Sequence, residues 1–222
     1  FYAKHSTSFC KMGGRKNNKE ISIFMKIKQQ KQIKTFLIEE FGNNKGKRLF
    51  ASQSEELDKI IANTKNKSKN QMKTLVQTIL PRVALFKTLV ENDLENAAYE
   101  AMQKYMVDKV AAQKHKFTAK MEILPGFFAV YKRIFLKIMR TSALWESTQK
   151  YGKDFFDADI TKCLWHTACT ENGCPQLCKL FCDVDDVNYS GLKKMGFKRT
   201  KTLGYGGDCC DFHFFRKQAN KK

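Results

Sequence analysis

Between Ile21 and Phe50 the apolar residues Ile23, Phe24, Ile27, Ile33, Phe36, Leu37 and Phe41 recur at spacings of three and four, and Gly42 follows as a stop signal. That period belongs to an amphipathic helix, single or divided in two. Ser52 with Glu55 has the spacing of a capping box and predicts a short helix through Ile60 and Ile61, fading into a polar linker over 63–70. Leu75, Val76, Ile79, Leu80, Val83, Phe86, Leu89 and Val90 then form a strongly apolar helical run, in which Pro81 should kink the helix or start a new one. Asn92 with Glu95 predicts the cap of a further helix carrying Leu94, Ala98, Met102, Tyr105, Met106 and Val110. Stripes of this kind are core faces and leave little room for a cofactor box.

Pro125 and Gly126 mark a break, after which Phe127–Met139 reads as a basic amphipathic helix with a solvated face of Lys and Arg. The period then shortens. From Asp157 to Cys169, Ile160, Leu164 and Ala168 alternate with Thr161, Cys163, Trp165 and Thr167, which predicts a strand. Glu171, Asn172 and Gly173 supply a turn, and Pro175 opens a helix through Leu177, Leu180 and Phe181. A second strand is predicted over Phe197–Leu203, with Arg199 and Lys201 on the face of Phe197. The glycine-rich stretch Gly204–Gly207 leads into a third, Cys209–Phe215. The predicted fold is α+β: a helical N-terminal half packed with a small antiparallel sheet made from C-terminal strands and a hairpin. Residues 1–20 are predicted to be a flexible segment, and 21–222 one domain, helical over 21–120 and cysteine-rich over 121–222.

Of the 222 residues 42% are hydrophobic, enough to bury a core and to exclude wholesale disorder. The longest apolar stretch, Phe127–Met139, is broken by Lys132, Arg133 and Lys137 and falls short of the ~20 apolar residues that span a bilayer. Lys and Arg total 41 against 22 Asp and Glu, a net charge of +19, which favours anionic partners without choosing among them. The cations are dispersed, and no zinc finger, recognition helix or aromatic RNA-binding signature accompanies them, so a small anionic substrate is preferred to nucleic acid or a membrane. A homo-oligomer remains compatible. Residues 1–10 hold no apolar signal-peptide core, and the expectation is a cytoplasmic protein with reduced thiols.

Seven of the eight cysteines fall in the last 60 residues. Cys174, Cys178 and Cys182 are spaced by four, so on a helix they drift along one face, unlike the two-residue gap of a zinc knuckle. Zinc binding, buried free thiols and a reactive cysteine all remain open. On the third strand Cys210, Phe212 and Phe214 share one face, and Cys209, Asp211 and His213 the other. His166, three residues from Cys163 on the first predicted strand, points away from it and needs a partner from another element. His5 and His115 have no chemistry around them.

The series Cys163-Leu164-Trp165, then Gly173-Cys174-Pro175-Gln176-Leu177, Phe181-Cys182-Asp183 with Asp185, and Arg199-Thr200-Lys201-Thr202-Leu203 through Gly206-Gly207-Asp208 to Cys210-Asp211-Phe212 resembles the signature of the L-2-amino-thiazoline-4-carboxylic acid hydrolase family. Gln176, where an acidic residue is common, and the extra thiols Cys169, Cys174, Cys178 and Cys209 depart from it. The resemblance implies hydrolytic opening of a cyclic isothiourea to an N-carbamoyl-cysteine. It implies Cys163, Cys182, Asp185 and Cys210 as catalytic residues, with Cys182 or Cys163 as the nucleophile. Arg199, Asp211 and His166 are implied at the substrate, Arg199 as a clamp on its carboxylate. No cofactor and no metal ligand set is implied. The competing reading is a non-catalytic, cysteine-rich module that binds a metal or small ligand.

Overall fold

A computed structural model describes residues 27–92 and 95–218; Ile23, Phe24 and the segment 1–20 lie outside them. The first periodic stretch forms α1 (Lys28–Phe41) and α2 (Asn43–Asn63), folded back on each other across Gly42. Gly42 takes φ +78°, and a Cβ on Gly46 would stand 2.4 Å from the Leu37 carbonyl oxygen, so the two helices meet where only glycine fits. This close turn starts α2 well before Ser52, which lies inside the helix instead of capping one. The capping box is at Ser68: its hydroxyl accepts the Gln71 amide N–H, and the Gln71 side chain accepts that of Ser68, opening α3 (Lys69–Thr74).

Pro81 is accommodated without a break in the rod. Between α3 and α4 (Leu80–Glu91) the chain widens into a π turn, Leu75–Ile79, with the Leu80 N–H bonded to the Leu75 carbonyl. Pro81 has no N–H to offer the Gln77 carbonyl. Gln29 of α1 supplies the missing donor, its Nε2 reaching Gln77 O at 2.7 Å and Thr78 O at 3.2 Å. Asn92, expected to cap the next helix, closes α4 instead, its side chain on the Thr88 carbonyl, and Leu94 lies outside the described residues. The chain resumes in α5 (Glu95–Gln103), a second π turn (Lys104–Ala111), α6 (Ala112–Met121) and α7 (Phe127–Thr141).

The remaining elements are β1 (Trp145–Tyr151), β2 (Phe155–Cys163), α8 (Leu164–Glu171), α9 (Leu177–Tyr189), β3 (Met195–Lys198), a 3-10 turn (Leu203–Tyr205) and β4 (Cys210–Arg216). The sheet is antiparallel throughout, in the order β1-β2-β4-β3. Two predicted strand boundaries shift. The strand expected to reach Cys169 stops at Cys163, because Leu164 and Ala168 are also one helical turn apart and α8 buries both. The second strand is confined to Met195–Lys198, since Thr202 caps the 3-10 turn by accepting the Tyr205 N–H. The polar β1 was not anticipated; it is half exposed and pairs with β2 in a hairpin.

Two cores result. The helical core gathers Phe36, Leu57, Leu80, Leu85, Met102 and their neighbours. It extends to Leu177, Leu180 and Val184 of α9. The second lies between α7 and the inner face of the sheet, around Phe156, Phe212, Phe214 and Met195. Phe214 touches Phe156 (ring centroids 4.7 Å apart), Phe197 and Tyr189, giving this core an aromatic centre. The buried Glu122 carboxylate accepts the backbone N–H groups of Lys193, Lys194 and Met195 and ties the end of α6 to the start of β3. No helix among the described residues is long and apolar enough to cross a membrane.

Candidate functional site

A cavity of about 230 Å³ lies at the seam between the two cores. The helical side contributes Thr78 from the first π turn, Arg82 one helical turn later, and Lys114 just after the second π turn. A π turn rotates the residues that follow it relative to a regular helix, a device frequent at functional sites. Along α9, Cys178, Cys182, Asp185 and Tyr189 follow at steps of four, three and four, so one helix face lines the cavity. The sheet side supplies Ile160 and Cys210, which are register partners across β2 and β4, with Phe212 two residues on. Cys163 ends β2 against the start of α8, and the stacked indoles of Trp145 and Trp165, 5.3 Å apart, wall this end.

The cavity is rich in cations. Arg199 gives Nη2 to Asp186 at 2.5 Å and to the Cys182 carbonyl at 2.9 Å, while its buried Nη1 has no partner. Arg82 is 4% exposed, lies over the Phe181 ring and faces the buried Tyr105 hydroxyl. Its Nε has no hydrogen-bond partner, and no carboxylate among the described residues lies within ion-pair distance of it. Asp185 is the one carboxylate on the lining. Burial pushes it up from about 3.8 to about 6, against the pull of Lys114 and Arg199. Lys114 is shifted down by burial, opposed by Asp185 and assisted by Arg82.

The thiols are held neutral. Burial raises Cys163 to about 12, although the backbone amides of His166 and Trp165 favour its thiolate. Burial raises Cys210 to about 11, against the Leu203 N–H that lies 3.3 Å from its sulfur. Cys182 is pushed up further, first by the Cys178 sulfur and then by burial. Behind it a string of thiols runs from Cys178 to Cys169 and Cys174. All the cysteines among the described residues are free, and no group of three His, Cys, Asp or Glu among them is arranged to hold a metal ion.

Cys163, Cys182, Asp185, Cys210 and Arg199 therefore share one cavity. His166 and Asp211 do not line it. Because α8 begins at Leu164, His166 is helical, and what approaches Cys163 is its backbone amide. Asp211 lies on the opposite face of β4, where it accepts the Thr200 N–H, the Thr200 hydroxyl and the Lys201 N–H. It braces the strand end that carries Arg199. Thr78, Arg82 and Lys114 were missed because their helices read as core. One signal was present: Arg82 is the lone charge in the run Ile79–Phe86.

No curated protein and no solved structure matches the chain significantly. A family model does match, over residues 72–214, a span that takes in the entire cavity lining from Thr78 to Phe212. On that match the chain belongs to the L-2-amino-thiazoline-4-carboxylic acid hydrolase family.

Proposed function

We propose that the protein opens L-2-amino-thiazoline-4-carboxylate, or a closely related cyclic isothiourea, by adding water to the ring carbon between nitrogen and sulfur. The carbon–sulfur bond breaks, the carbon becomes the carbonyl of a urea, and the product is N-carbamoyl-cysteine; one water is consumed. The observation that carries this reading is the convergence of Asp185 and three thiols from separate elements on one cavity of small-molecule size. Asp185, near 6, is ionised at neutral pH yet basic enough to take a proton from the attacking water. Lys114, shifted down beside it, is a proton donor for the departing sulfur. The thiols, raised to about 11 and above, are neutral and polarisable walls that exclude bulk water.

A covalent route is the second reading. It is favoured by the position of Cys163 at the start of α8, where two amides face its sulfur. Attack by that sulfur would expel the ring sulfur and leave a carbamimidoyl thioether on the protein, which water then hydrolyses to the same urea. The test is incubation with the thiazoline carboxylate and a thiol reagent that detects freed cysteine sulfur, repeated with Cys163→Ser, Cys182→Ser and Cys210→Ser. Activity retained in all three, with no adduct by intact-protein mass spectrometry, supports water as the nucleophile. Loss in Cys163→Ser alone, with an adduct on Cys163, moves the assignment to the thiol. No ring opening by the wild type removes the hydrolase reading.

A further inference from the structure

We infer that Arg82 is the anchor for the ligand's carboxylate, so that the cavity selects small molecules carrying one carboxylate, with Arg199 as a second, tethered contact. The inference rests on reading the cavity as a substrate site and adds the group that recognises the anion. Arg82 is almost fully buried, at 4% exposure, in a helix that buries both its apolar faces, and no carboxylate among the described residues neutralises it. Its Nε lacks an acceptor, the buried Tyr105 hydroxyl beside it is a neutral neighbour, and Phe181 offers only a π face 5.4 Å away. A guanidinium stays protonated even where burial disfavours its charge. Unpaired charges at such sites weaken the fold unless an anion arrives.

The charge balance of the lining points the same way. Arg82, Arg199 and Lys114 face Asp185, and Arg199 is already held by Asp186 outside the lining. One negative charge is missing, and a single carboxylate supplies it. Nε of Arg82 and Nη1 of Arg199, both buried, both without a partner and both belonging to residues on the lining, are the donors a carboxylate would take up. Arg199 is fixed on its other edge by Asp186 and the Cys182 carbonyl, whereas Arg82 has only the neutral Tyr105 hydroxyl beside it and a bare Nε. That asymmetry makes Arg82 the anchor.

The test is thermal denaturation and calorimetric titration with two saturated rings that cannot be opened, thiazolidine-4-carboxylate and thiazolidine. Wild type, Arg82→Met, Arg82→Lys and Arg199→Met are compared. The wild type should bind the carboxylate and be stabilised by it, and should respond far less to thiazolidine. Arg82→Met should melt higher than wild type when empty and bind the carboxylate at least about tenfold more weakly, the loss of a charge-assisted contact. Arg82→Lys, which keeps the charge without the planar fork, should show a similarly large binding defect and covers the case in which Arg82→Met does not fold. Undiminished binding in the Arg82 variants, or a lower melting point for empty Arg82→Met with unchanged affinity, overturns the assignment. Binding lost only in Arg199→Met transfers the anchor to Arg199. Because neither ring turns over, an intact carboxylate response that Arg82→Met abolishes upholds the inference even if the thiazoline is never opened.

Discussion

The helical half and the sheet half bury their interiors in different ways, and the cavity between them takes Arg82 and Lys114 from the first and Cys163, Cys210 and Arg199 from the second. In the helical core, α4 is apolar nearly all round, and into it are set Arg82 and Thr88, polar side chains left without partners. The sheet core is aromatic and pairs polar groups within it: Glu122 takes three backbone donors, and the Tyr131 and Tyr189 hydroxyls bond each other at 2.6 Å, while Arg199 keeps a bare Nη1 at its edge. Among the described residues, buried side-chain atoms without a partner occur on Gln29, Arg82, Thr88 and Tyr105 on the helical side and on Ser142 and Arg199 on the other. Arg82 and Arg199, each with a bare donor where the two halves meet, carry strain where a ligand can relieve it.

The largest effect should come from Asp185→Asn, which removes the base and one buried charge together. Ring-opening activity is expected to fall by about 10²- to 10⁴-fold, the range for losing a general base. In the wild type, activity should rise through about pH 6 as Asp185 ionises. Stability moves the opposite way. A carboxyl raised from about 3.8 unfolded to about 6 folded binds its proton more tightly in the native state, so the native state loses stability as pH climbs between those values. Asp185→Asn should therefore melt higher than wild type at pH 7–8, by up to about 3 kcal/mol, and the gap should close below pH 4. A variant that is both inactive and less stable at pH 8 would place Asp185 in the scaffold.

Phe214→Ala attacks the sheet core at its centre, where the side chain is fully buried among Phe156, Phe197 and Tyr189. The expected loss is about 3–5 kcal/mol, and Leu85→Ala in the helical core should lose about 2–5. Because α9 contributes to both cores and to the cavity, chemical denaturation followed by near-ultraviolet dichroism and by Trp fluorescence should give coincident single transitions. Separate transitions would mean that the two cores are independent and the seam between them is loose.

Gln29→Leu tests how the helical half aims its charge. It strips the donor from the Gln77 and Thr78 carbonyls and should lower stability by about 1–3 kcal/mol. It should also weaken binding of thiazolidine-4-carboxylate, since Thr78 and Arg82 take their orientation from the same turn. A stability loss with unchanged affinity would show that the π turn holds its register without Gln29.

Spacing alone put Cys174, Cys178 and Cys182 on one helix face and made Cys210 alternate with Asp211 on its strand, but it was the family resemblance, not spacing, that singled out Cys163, Cys182, Asp185 and Cys210. The helical framework was legible from its period. Ser52 misled because the spacing of a capping box also occurs inside helices, and the stretch after Cys163 misled because Leu164 and Ala168 fit a step of four as well as a period of two. The contribution of Arg82 and Lys114 depends on two π turns, and a π turn is set by tertiary contacts such as Gln29 on Gln77, which no local window of sequence contains.

The smallest effect is expected on the outer face of the sheet, which separates chemistry from decoration in the C-terminal half. His213 lies there, its Nδ1 2.6 Å from Asp157 Oδ1 and its ring between Phe155 and Phe215, and it is half exposed. It resembles a site residue by composition, a histidine beside a carboxylate, yet the cavity opens on the other side of β4. An exposed pair of this kind contributes about 1 kcal/mol or less. His213→Ala should therefore shift the melting temperature slightly and leave the rate of ring opening and the affinity for carboxylate rings unchanged. A large fall in rate at unchanged stability would show that the outer face of the sheet takes part in the reaction, and would undo the division of labour drawn between the two faces.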